Sequence, residues 1–89
     1  MPYSNIASAT TTTVKTGFGR LENIVINKPV ANGVITVYDN TAGSGTKIAT
    51  ITLPATLTQD AITLTYNTAF GTGLTVVTSA ATDITVTYG

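Results

Sequence analysis

The sequence predicts an all-β protein, a small antiparallel sandwich or barrel of about six to eight short strands. Three observations predict it. Thr makes up about a quarter of the 89 residues and stands beside Val, Ile and Tyr, side chains that suit a pleated sheet and lose freedom in a helix. No window of ten or more residues places apolar positions at helical spacing, because Gly or Pro interrupts nearly every candidate. Instead, short bursts of alternation recur about every 8–12 residues, with Gly, Asn, Asp or Pro between them.

Residues 1–13 are small, polar and without periodicity, and are expected to form an extended N-terminal arm ahead of a sandwich domain over 14–89. Thr12–Thr16 is a weak, polar strand. Arg20–Asn27 carries Leu21, Ile24, Val25 and Ile26; its apolar phase changes after Leu21, which predicts a bulge near Glu22-Asn23. Gly33–Asp39 follows the turn signal Asn32-Gly33. Asn40–Thr46, rich in Gly, is expected as a flexible connection, and Lys47–Leu53 ends at Pro54. Ala61–Asn67 alternates cleanly, with Ile62, Leu64 and Tyr66 on one face. The closing pair behaves alike: Leu74 and Val76, then Ile84, Val86 and Tyr88, point one way, while Val77 breaks the alternation and points outward. Phe18 and Phe70, each beside a glycine, are expected to plug sheet ends.

A chain of this size folds alone only marginally, and such domains are helped by disulfides, metals or self-association. There is no Cys and no His, so disulfides and nitrogen or sulfur metal ligands are excluded and self-association is left. Charged residues are 9% of the chain at zero net charge, against about 25% in an ordinary soluble domain. Either Thr, Ser and Asn wet such a surface in place of charge, or partners cover much of it; the second is the expectation. Without a run of Lys or Arg there is nothing to neutralise a phosphate backbone, so no nucleic acid partner is expected. No apolar stretch reaches the roughly 20 residues of a membrane helix, and no signal peptide is expected at the N-terminus.

The chemistry-bearing residues do not form a catalytic set. Gly17-Phe-Gly19, Gly43-Ser-Gly45 and Gly71-Thr-Gly73 lack the Lys-Ser/Thr and helix of a phosphate cradle and read as turn glycines. Ser44 and Lys47 have the Ser-x-x-Lys spacing, but in a Gly-rich turn rather than at a helix start. The carboxylates Glu22, Asp39, Asp60 and Asp83 stand at expected strand ends or the bulge, where Asp most often bonds turn backbone. Asp39 with Asn40 offers oxygens to calcium without the acidic loop that would complete a shell. No enzyme, no cofactor and no metal are expected. Tyr38, Tyr66 and Tyr88 fall in strand phase as core or rim, leaving Tyr3 as the aromatic available to stack on a sugar.

Val34-Ile-Thr-Val-Tyr-Asp-Asn-Thr-Ala-Gly-Ser-Gly-Thr-Lys-Ile-Ala-Thr-Ile, Phe70-Gly-Thr-Gly-Leu-Thr-Val-Val-Thr and Asp83-Ile-Thr-Val-Thr-Tyr together resemble the small virion proteins of tailed bacteriophages. The resemblance covers roughly residues 18–89. It implies a jelly-roll-like sandwich, commonly trimeric, acting as a capsid cement (decoration) protein that bridges capsomers; the alternative is a tail or fibre component binding a glycan or receptor. The implied partners are the major capsid protein and further copies of the chain, and the implied location is the virion, assembled in the bacterial cytoplasm. A scaffold module outside any virus is the third class. The expected contact residues, for capsid or subunit, are Pro2, Tyr3, Ile6, Val14 and Val77.

Overall fold

The alternating segments fold as eight strands: β1 (Tyr3–Ile6), β2 (Thr11–Thr16), β3 (Gly19–Lys28), β4 (Val34–Tyr38), β5 (Lys47–Thr52), β6 (Ile62–Phe70), β7 (Gly73–Thr78) and β8 (Asp83–Tyr88). The computed structural model describes residues 2–56 and 61–89, and among these there is no helix. Two four-stranded antiparallel sheets form, ordered β1-β8-β3-β6 and β2-β7-β4-β5. First pairs with last, second with seventh, third with sixth and fourth with fifth, as if one long hairpin had been rolled up. This is the order of a jelly roll, the double Greek key.

Residues 7–10, 29–33 and 79–82 each carry the chain from one sheet to the other. Such short connections join strands that face each other across the sandwich, so β1 faces β2, β3 faces β4 and β8 faces β7. The strand orders then set β6 over β5. Both termini share one end with the β2–β3 turn, the β4–β5 loop and the β6–β7 turn.

Inward positions match the alternation. Leu21, Ile24, Ile26, Ile35, Val37, Leu74, Val76, Ile84 and Val86 are fully buried, and Ile6, Leu53 and Phe70 nearly so. Each stabilises the fold by about 1.5–3 kcal/mol. The expected bulge is present. Thr65 pairs with Asn23 but Thr68 with Leu21, so Tyr66 and Asn67 of β6 stand opposite Glu22 alone. Asn67 accommodates this with φ 51°, a left-handed conformation that Asn tolerates better than most residues.

The N-terminal segment departs from expectation. Residues 3–6 and 11–16 are the edge strands β1 and β2, in register with β8 and β7, and not an arm; Met1 lies outside the described residues. A four-residue strand with one inward apolar side chain, Ile6, leaves no periodicity to read. Its position is set instead by the exposed edge of β8 and by Asn5, whose Nδ2 donates to Asp83 Oδ1 at 2.7 Å and to the Ile84 carbonyl at 2.9 Å.

Candidate functional site

Asp39 follows β4 directly, and its carboxylate accepts the backbone N–H groups of Gly71, Thr72 and Gly73 at 2.9–3.4 Å. These bonds, Thr72 and Gly71 first, hold its pKa below the ordinary carboxylate value. The β6–β7 turn is thereby fastened to the β4–β5 loop. At the other end of the sandwich, Asp83 accepts from Asn5 and Asn27, and these bonds, with Lys28 nearby, lower its pKa too. Both carboxylates serve the fold as backbone and amide acceptors. Asp60 lies outside the described residues. The described residues contain no group of three or more metal-ligating side chains and no cavity.

The β4–β5 loop, expected to be a flexible connection, is a pinned flap over the outer face of the second sheet. Thr75 is fully buried and donates from Oγ1 to the Asn40 carbonyl at 2.7 Å. Thr13 Oγ1 donates to the Thr41 carbonyl at 3.1 Å, and Asn40 Nδ2 closes the loop on the Ser44 carbonyl at 2.7 Å. A side chain on Gly43 would meet Val77 Cγ2 at 3.0 Å and Thr11 Cγ2 at 3.1 Å. Thr78, also buried, donates to the Ser8 carbonyl at 2.6 Å and accepts the Thr10 N–H at 3.1 Å, fixing the β1–β2 connection. Strand β7 is therefore covered on both faces.

The expected contact residues are dispersed by this architecture. Pro2 is exposed, and its carbonyl accepts the Tyr88 N–H at 3.1 Å. Tyr3 is 71% exposed on the outer face of the first sheet, opposite Thr87. Ile6 is only 4% exposed and belongs to the core; inward pairing with Ile84 removes it from any contact surface. Val14 packs partly buried against the core at a bulge of β2. Val77 points outward as expected but lies under the flap at Gly43. Of the five, Pro2 and Tyr3 come together at one exposed place.

Phe18, like Ile6, was misplaced by sequence reasoning, in the opposite sense. Phe70 plugs a sheet end at 3% exposure, whereas Phe18 is 81% exposed at the tip of the β2–β3 turn. The turn cannot fold it inward: Gly17 sits at φ 93° and donates to the Thr72 carbonyl, and Gly19 is pressed between Gly89 and the ring of Phe70. Arg20 and Lys15 flank the turn, and both are engaged. Arg20 binds the Asn67 carbonyl and side chain at 3.0 and 2.9 Å, and Lys15 reaches the Gly89 carbonyl at 3.2 Å. The end bearing both termini thus presents two exposed aromatic rings, Tyr3 and Phe18, on a hydrogen-bonded turn-and-strand frame. Such rings bury large area at low entropic cost when they enter a partner's surface. Comparison of this chain with known protein families, with curated proteins and with solved structures finds no match in any of the three.

Proposed function

We propose that this chain is a non-enzymatic structural protein of a tailed-phage virion, acting as a capsid cement that bridges capsomers. The single observation that carries the reading is its surface: charge is sparse, and the two large hydrophobic side chains exposed among the described residues, Phe18 and Tyr3, sit at one end of the jelly roll. The sequence resemblance supplies the particle. Its two distinctive stretches, around Tyr38-Asp39-Asn40 and Phe70-Gly-Thr-Gly73, are tied to each other by the Asp39 carboxylate, so they act as one structural unit. Bridging falls to the aromatic end, because residues 3–6 and 11–16 are spent in the sheets.

A second reading, a tail or fibre component that binds a glycan, draws on Tyr3 standing on a face with the polar side chains of Asn5 and Thr87. Stoichiometry against the major capsid protein in purified particles tests both. Near-equimolar amounts support cement. A few copies per particle favour the tail reading, and absence from particles overturns both.

A further inference from the structure

Among the described residues four strand edges are open in the two sheets, and three are blunted by devices that discourage pairing with another chain. Strand β1 is four residues long and follows Pro2; β2 bulges at Val14 beside Lys15. Strand β5 starts at Lys47, bulges at Ile48 and is followed by Pro54. On β6 the second half is interrupted by the Tyr66-Asn67 bulge, whose Asn67 carbonyl is taken by Arg20. The first half, Ile62-Thr-Leu-Thr-Tyr66, has no charge, no Pro and no irregularity before its last residue. Among the described residues nothing pairs with its outer side. Beneath it Ile62, Leu64 and Tyr66, with Ile48 and Ile51 on β5, pack against the core and are only partly buried.

We infer that Ile62–Tyr66 is a self-association edge, pairing antiparallel with the same segment of a second copy about a twofold axis at Leu64. The segment suits itself. Antiparallel pairing centred on Leu64 sets Ile62 against Tyr66 of the other copy, Thr63 against Thr65, and Leu64 against Leu64. Apolar side chains then meet on the core face and hydroxyls on the outer face, and no like charges oppose one another. A twofold contact needs one surface that complements itself, and the other three edges are blunted, which makes β6 its own partner. Pairing joins the two copies into one eight-stranded sheet and covers the half-buried row. The inference does not depend on the virion reading.

The test uses the outward, exposed Thr63 and Thr65, which folding does not require to be uncharged. Sedimentation equilibrium of the wild-type chain should show a monomer–dimer equilibrium. Thr63→Lys with Thr65→Lys places two like-charge pairs directly opposite and should weaken the dimer by roughly tenfold or more; Thr63→Glu with Thr65→Glu should do the same. Mixing the two double variants should restore dimers, because each lysine then faces a glutamate. A wild-type chain that stays monomeric at millimolar concentration overturns the inference. So does an oligomer, trimer included, that neither double variant weakens. Far-ultraviolet circular dichroism and the restored mixed dimer separate loss of pairing from loss of fold.

Discussion

Thr75→Val isolates what holds the flap. The two side chains have nearly the same shape, so the substitution exchanges a buried hydroxyl for a buried methyl at a position with no exposure. The extra apolar group favours the folded state by about 0.8 kcal/mol. Against it stands the 2.7 Å bond to the Asn40 carbonyl, whose loss leaves an acceptor without its donor and costs about 1–3 kcal/mol. The loss wins, and a net destabilisation of about 0.2–2 kcal/mol follows. In a domain of this size that lowers the thermal midpoint by about 1–15 °C. Thr75→Ser keeps the donor and sheds the methyl, so it should lose stability by packing while leaving the flap closed. Hydrogen exchange distinguishes the two: amides of residues 40–46 should lose protection selectively in the Val variant and not in the Ser variant. Thr50→Val, at an exposed position of β5, should change stability by no more than about 0.5 kcal/mol. If Thr75→Val melts at or above the parent temperature with residues 40–46 equally protected, the flap is not held by this bond.

Gly19→Ala should cost about 1–3 kcal/mol by overpacking, since its Cβ would lie 2.5 Å from the Gly89 carbonyl oxygen and 2.8 Å from the Phe70 ring; Gly71→Ala meets nothing within 4 Å and should leave the urea midpoint unchanged. Asn23 carries a buried side-chain oxygen with no hydrogen-bond partner among the described residues, so Asn23→Thr should raise stability by about 1 kcal/mol in the same assay, and a loss of that size would show that the amide is satisfied in solution. Asp39 and Asp83 both have lowered folded-state pKa values; their contribution is therefore complete above the unfolded carboxylate value of about 4 and is lost as pH falls through the folded values. With no His to titrate, stability should be flat from pH 7 to about 5 and fall below it, and Asp39→Asn with Asp83→Asn should flatten that acid limb. An unchanged limb would assign acid sensitivity to other carboxylates. Phe18→Ala should leave the melting temperature within a few degrees, because the ring contacts solvent, while abolishing incorporation into particles; retention at full copy number would remove Phe18 from the contact.

What was legible in the sequence follows from how far each signal is local. Strands β3, β4, β6, β7 and β8 appear in order because each carries at least two inward branched or aliphatic residues at a spacing of two; β5, whose Ile48 and Ile51 are three apart across a bulge, is marked instead by its branched residues and the Pro54 that follows. The bulge at Glu22 was readable because a phase change between Leu21 and Ile24 has few other causes. Strand β1 was not, since its pairing partner lies about eighty residues away and a single Ile carries no period. Nor was the flap: Gly, Ser and Thr give a loop the composition of a flexible linker whether or not distant hydroxyls, here Thr75 and Thr13, reach its carbonyls. Phe18 failed for a related reason. Hydrophobicity argues for burial, but a turn held by Gly17 and Gly19 leaves the ring no inward direction.

The coverage of β7 bears on which surfaces can do work. Loop 39–46 closes much of the outer face of the second sheet, which takes Val77 out of contention. The surfaces left are the aromatic end, the outer face of the first sheet and the open half of β6. The last two residues of β8 pair near Tyr3 and Leu21, whereas Ile62 pairs with Ile26, next to Asp83 at the far end. The β6 segment and Phe18 are thus separated along the long axis of the sandwich, and a partner at one does not obstruct the other. A bridge needs two attachments. On the two proposals together, a twofold pair joined through β6 would carry two aromatic ends related by symmetry, so two small jelly rolls without arms would span a seam. Thr63→Lys with Thr65→Lys should then leave each copy able to dock through Phe18 while removing the reinforcement. Particles carrying that variant should reach normal occupancy and still burst at lower temperature than wild type. Normal heat stability at normal occupancy would mean that docking alone reinforces the shell and that the β6 pair plays no part in it.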